Sequence, residues 1–348
     1  MIELKSKGID LRFDPALGQI VSFSVQDGGV VSSPLHKAPW VGSTEPFPDG
    51  MPPHLKTLGG DFFCAPFGKE TNDVPLHGWP PNSEWHIEEK SEHSLRARLF
   101  REVSGATLYK KITVYPNHPF VYQAHKFRGG EGALPVANHA NVSLPNGGII
   151  STSSKASWQT PQSPLETDPD RGRSGLRYPA QASDPTAFPS IQGTVNLLRY
   201  PWSTRHEDFV AGIENPDNAL GWTAVTRPAE GDLFLSLRDA RVLPMTMLWH
   251  SNGGRDYPPW SGRHFGCLGV EEGLAASVFW PDQSDAPIAS DLILFGERET
   301  QVKHVIGAIS WPERQAIERV EIIDDTLRVE GVGGAVRSVP IMPDGVFA

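Results

Sequence analysis

Apolar residues in this chain recur at every second position rather than every third or fourth. The pattern runs through Val21, Phe23 and Val25; Leu95, Ala97 and Leu99; Ile112 and Val114; Leu233, Leu235 and Leu237; Val320 and Ile322; and Leu327 and Val329. Successive side chains of an extended backbone point to opposite faces. Each run therefore turns one apolar stripe toward a core and leaves Ser, Arg, Lys or Glu on the other face. Antiparallel strands buried on one side are the expected result. No window of a dozen residues sustains a 3.6-residue apolar period without an intervening Gly or Pro, which predicts few and short helices. Asp27 to Gly29 and Asp324-Asp325 each separate two strand-like runs and read as hairpin turns. The 34 glycines and 32 prolines among 348 residues exceed the ~12% usual for the two together, as a many-stranded chain requires.

The length allows two average domains, but large all-β cores often exceed 200 residues. No shift in composition marks a boundary, so one domain over residues 1–348 is expected. With 31 basic and 41 acidic residues the net charge is −10, which opposes contact with polyphosphate; nucleic acid is not an expected partner. Only Cys64 and Cys267 are present, too few for a disulfide framework, and they read as buried thiols of a reducing compartment. Neither a signal core nor an apolar span is seen, so a cytoplasmic protein with no membrane contact is expected. Two proline-rich stretches, Ser32 to Thr57 and Thr160 to Ser190, lack periodicity. Loops this long in a compact domain are often lids or binding loops.

Three separated segments carry proton-active side chains among strand-like residues. They are Leu58 to Gly68 running on to Pro75-Leu76-His77-Gly78-Trp79, then Asn138-His139-Ala140-Asn141-Val142-Ser143-Leu144, and Gly266-Cys267-Leu268-Gly269-Val270-Glu271. Their order and spacing resemble the galactose mutarotase-like (aldose 1-epimerase) superfamily. The resemblance implies an all-β antiparallel supersandwich acting on a small-molecule sugar, with anomers of a free hexose interconverted by acid–base ring opening and no cofactor or metal. In that chemistry an acid protonates the ring oxygen while a base takes the C1 hydroxyl proton, each contribution worth ~10²–10⁴-fold.

On this resemblance His139 is the candidate acid and Glu271 the candidate base. His-Ala-Asn-Val-Ser-Leu departs from the family's His-x-Tyr-Phe-Asn-Leu at Asn141 and Ser143, and Glu272 stands where the family has proline. The apolar, glycine-rich run before Glu271 is expected to withdraw a carboxylate from water and raise its pKa. Alternation allows only one of Glu271 and Glu272 to face a given side. His77 is the candidate donor to sugar hydroxyls, and Trp79 a flat surface for sugar C–H groups. Looser matches nominate Asp61, His206 and Asp208 as sugar contacts, whereas Trp249 reads as a packing residue. The arginine that often follows the HG segment is absent, which argues against a sugar phosphate. The Asn-Arg pair common upstream of that segment in aldose epimerases is also absent, so its contact must come from elsewhere. Two other classes remain open: a metal-dependent sugar isomerase or lyase using His77, His139, Glu271 and His264, and a non-catalytic carbohydrate-binding or sensor protein. No His-x-His or His-x-x-x-His spacing supports the metal reading.

Overall fold

The computed structural model describes residues 1–68, 73–282 and 286–347. About half of the chain is strand, and the described helices are four single turns, the longest being Pro53–Lys56 and Ala276–Phe279. Both hairpins form as the turn residues require. Gly28 and Gly29 both take positive φ, 55° and 81°, the conformation of a two-residue turn between paired Asp27 and Val30. Asp324, at φ 51°, closes the second between Ile323 and Thr326.

Two antiparallel sheets of eleven and nine strands carry most of the fold. The centre of the larger runs Asp61–Cys64, Val136–Ser143, Cys267–Leu274, Met245–Asn252, His206–Glu214. The centre of the smaller runs Leu220–Arg227, Asp232–Asp239, Glu299–Ser310, Phe120–Gly129. Their facing sides share an interior that includes Phe63, Val142, Leu248, Val270, Phe234 and Ile306.

One expectation needs correction. Strands His206–Glu214, Asp232–Asp239 and Met245–Asn252 are buried along their whole length, not on one side only. A three-stranded sheet, Ile317–Ile323, Thr326–Gly331 and Val336–Pro340, covers the outer side of the nine-stranded sheet around Trp311 and Leu235. The outer side of the eleven-stranded sheet carries its own apolar layer, with Trp40, Phe62, Phe209, Met247, Trp249 and Trp260. A residue turned away from one core therefore enters another, and period two alone does not distinguish inside from outside.

Candidate active site

A cavity of about 240 Å³ opens on the outer side of the eleven-stranded sheet. Its floor is set by register. His139 lies directly opposite Phe62 on one neighbouring strand and Glu271 on the other. Strand alternation brings these three side chains to the same face. The His139 ring stacks on Phe62 at 4.5 Å between centroids, and His139 Nε2 meets Glu271 Oε1 at 3.2 Å. Both side chains are nearly inaccessible, at 5% and 3%.

Alternation also settles the adjacent carboxylates. Glu272 points into the sandwich, where Thr223 Oγ1 and Thr246 Oγ1 donate to it at 2.6 and 2.9 Å and Arg238 pairs with it at 2.7 Å. Its four-fold satisfaction by Ser236, Thr223, Thr246 and Arg238 marks it as structural, and Glu271 alone reaches the cavity.

Burial opposes charge on both members of the pair. It raises Glu271 well above the usual carboxylate range and lowers His139 to about 3, with the His54 ring adding to the effect. At 3.2 Å a proton can pass directly between the two, so their titration belongs to the pair. Nδ1 of His139 is buried and finds no partner among the described residues.

His77 also lines the cavity, with its ring edge-on to His139 at 5.5 Å. Its Nδ1 accepts from Gly68 N–H at 3.4 Å, which leaves the proton on Nε2. The turn that presents it depends on Gly78, whose φ is 76° and where a Cβ would lie 1.9 Å from the Ala65 carbonyl oxygen. No side chain fits there. Asn82 braces the turn, donating to Leu76 O and Gly78 O at 2.9 and 2.7 Å.

Four nominated contacts lie elsewhere. Trp79 packs on the sandwich interior beneath the Arg101 guanidinium, 5.0 Å from its ring, and the tryptophans that line the cavity are Trp249 and Trp260 instead. Asp61 starts its strand on the interior face and accepts from Gln123 Nε2 at 2.7 Å. Burial raises it to about 6, partly countered by Lys110 and that hydrogen bond. His206 and Asp208 also face inward. Asp208 receives the Gly175 and Leu176 N–H groups at 3.1 and 3.0 Å and the Tyr178 hydroxyl at 3.1 Å, and so anchors the second proline-rich segment. His206 sits 3.9 Å from the Trp202 ring and 3.3 Å from Asp208.

The residue between them, Glu207, is the one that alternation sends to the cavity side. It accepts from Trp249 Nε1 at 2.6 Å and Ser251 Oγ at 3.0 Å and pairs with Arg255 at 2.8 Å. Arg255 lies over Trp260 at 4.4 Å and lines the cavity, an arginine supplied far downstream of the HG segment. His54 was also missed. It comes from the short Pro53–Lys56 helix, and its Nδ1 is held by Asn82 Oδ1 at 2.9 Å. That bond puts the proton on Nδ1 and leaves Nε2, buried and unpartnered among the described residues, as a free acceptor at the cavity wall. Both proline-rich stretches contribute to the walls, through Leu55 on one side and Pro161, Ser163 and Leu165 on the other.

No protein-family model and no curated protein matches the chain. Solved structures do. A protein of Escherichia coli K12, provisionally named an aldose 1-epimerase, aligns at a TM-score of 0.59 and 14% identity, over 88% of this chain and 97% of its own. A galactose mutarotase related enzyme from Lactobacillus acidophilus aligns at 0.53 and 11%, over 89% and 97%. A galactose mutarotase-like protein from Lactobacillus casei aligns at 0.51 and 10%, over 88% and 99%.

The chain has the galactose mutarotase-like fold.

At these identities the galactose mutarotase-like likeness is one of architecture, and a shared architecture does not fix activity. What the molecule does has to be argued from the cavity. No described helix is long and apolar enough to cross a membrane.

Proposed function

We propose that the protein is an aldose 1-epimerase-like mutarotase, acting on a free monosaccharide in the cavity above His139 and Glu271. The observation that carries this reading is the directly paired imidazole and carboxyl, 3.2 Å apart at the floor of an aromatic-walled cavity. Ring opening needs one group able to give a proton and one able to take it, and a one-proton pair supplies both. A cavity of about 240 Å³ is smaller than the ~300–1,000 Å³ of drug-sized ligand sites, which suits one sugar ring rather than a chain.

Buried at the cavity floor, the pair favours the neutral arrangement, with the proton on Glu271 and His139 uncharged. An entering sugar replaces apolar surroundings with hydroxyls that solvate charge. Transfer of the proton to His139 Nε2 then gives an imidazolium to protonate the ring oxygen and a carboxylate to take the C1 proton. After the aldehyde turns, reclosure runs the same transfers in reverse. His77 Nε2–H and the bare His54 Nε2 are suited to hold hydroxyls as donor and acceptor. Trp249, fixed by its bond to Glu207, offers a face to sugar C–H groups. His264, nominated for the metal-dependent reading, stacks on the Trp249 ring at 5.6 Å and is hydrogen-bonded to His36, away from the His139–Glu271 pair.

The test is polarimetric. Freshly dissolved α-anomers of a panel of aldoses should relax to equilibrium faster with protein than without it, and chelation should leave the acceleration intact. Binding of a sugar with no acceleration would make this a sensor rather than an enzyme. The pH dependence follows from the burial shifts. Only the one-proton form of the pair is competent, so on the acidic side turnover should persist until His139 takes a second proton, near 3. It should fall as pH rises through the raised value of Glu271. A loss centred near the ordinary histidine value of 6.5 would show that His139 titrates as an exposed ring.

A further inference from the structure

Behind the Trp249 ring lies a second cluster that the sugar chemistry does not use. His36, His264 and Cys267 are buried, and their ligand atoms lie within 4.8 Å of one another. His36 Nε2 and His264 Nε2 are 3.1 Å apart. Zinc–nitrogen bonds of ~2.0–2.1 Å place two ligands of a tetrahedral ion ~3.3 Å apart, so the two imidazoles already stand near that separation.

The hydrogen-bond chain around them fixes the protons. Ser251 Oγ donates to Glu207 Oε2 at 3.0 Å, so its 2.7 Å contact with His264 Nδ1 must be donated by the ring. His264 Nε2 is therefore a bare lone pair, oriented by a hydroxyl and a carboxylate in the way that supporting groups orient metal-bound histidines. His36 is held as firmly through its backbone. Its N–H donates to Asn141 O at 2.7 Å, and its carbonyl accepts from Gly60 N–H at 2.8 Å. The carbonyl also passes so close to Gly59 that a Cβ there would stand 2.4 Å from it.

We propose that His36 Nε2, His264 Nε2 and Cys267 Sγ form a binding site for one divalent ion of the zinc class, with solvent completing the tetrahedron. Two imidazoles and a thiolate are the ligand set that borderline-soft ions favour over magnesium or calcium. Binding releases the Cys267 thiol proton to solvent and moves the His36 proton from Nε2 to Nδ1, with no change in oxidation state. The three ligands come from the first proline-rich segment, the loop that follows Arg255, and the Cys267–Leu274 strand. An ion here ties together two segments that wall the cavity, through Leu55 on one and Arg255 and Trp260 on the other.

The full chain, stripped with a chelator and dialysed, should take up one equivalent of Zn²⁺ and melt at a temperature that rises with zinc concentration. Loaded with Co²⁺, it should show thiolate-to-cobalt charge-transfer absorption. Since the chain has only two cysteines, persistence of that band in Cys64→Ser assigns it to Cys267 even where Cys267→Ser fails to fold. His264→Ala should abolish uptake, with circular dichroism of the metal-free variant checking its fold. Absence of stoichiometric uptake, a cobalt spectrum without the thiolate band, or loss of the band in Cys64→Ser would overturn the site. None of these outcomes bears on anomer exchange, which is read without metal.

Discussion

Glu271→Gln and His139→Asn are each expected to lower kcat for anomer exchange by roughly 10²-fold or more, with sugar affinity within about tenfold of wild type. Either change removes one of the two groups that pass a proton to and from the sugar, an interaction made chiefly in the transition state. His77→Asn should behave differently and chiefly raise KM, because a hydrogen bond to a ground-state hydroxyl serves substrate and transition state alike. Stability separates the catalytic reading from a structural one. Burial raises the folded-state pKa of Glu271, so its contribution to stability is complete below the ordinary carboxylate range and is lost as pH rises through the raised value. Glutamine does not ionise. Glu271→Gln should therefore melt no lower than wild type at neutral pH, the pattern of a residue kept for function at the expense of stability. A large fall in melting temperature with turnover preserved would assign Glu271 to the core.

The second large effect concerns Arg238, which is wholly buried beneath the cavity floor. Its guanidinium pairs with Glu272 at 2.7 Å and Glu214 at 2.5 Å, and also donates to Thr246 Oγ1 and Leu243 O, both at 2.8 Å. Arg238→Met preserves much of the volume but leaves Glu272 without a cation and Glu214 with Lys155 alone. Removing one partner of a buried pair typically costs about 3–5 kcal/mol. The loss should be smaller at acidic pH: burial raises Glu214, but Arg238 and Lys155 outweigh it and hold the carboxyl below its ordinary range, so without Arg238 it takes up a proton more readily and ceases to be a buried charge. Urea midpoints for wild type and variant at neutral and acidic pH check this. A change under about 1 kcal/mol, independent of pH, would show that the network is incidental to folding.

These two glutamates show how far sequence reading reached. Period two in Leu95 to Leu99 and Leu233 to Leu237 identified strands, and turn residues identified both hairpins, because those signals are local. Alternation also stated that Glu271 and Glu272 face opposite ways, but not which one faces the cavity. That depends on pairing with His139 across a strand boundary 132 positions away in the chain. The same limit misplaced His206 and Asp208 by one residue. Both sides of that strand are buried, and the side carrying Glu207 is distinguished only by the covering layer of Trp249 and Trp260. His54 and Arg255 lie in proline- and glycine-rich stretches with no period, where a side chain's direction is set by distant packing. Trp79 was nominated by its neighbour His77, yet the positive φ at His77 and Gly78 turns the chain so that the two rings diverge.

The central claim, that the one-proton pair opens and recloses a sugar ring, is tested most directly by proton NMR saturation transfer between the anomers of the sugar that relaxes fastest in the presence of the protein. Saturating the α-anomeric proton should deplete the β signal in wild type, and much less in Glu271→Gln or His139→Asn. Equal transfer in wild type and both variants, or none above the spontaneous rate for any sugar in the panel, would contradict the account.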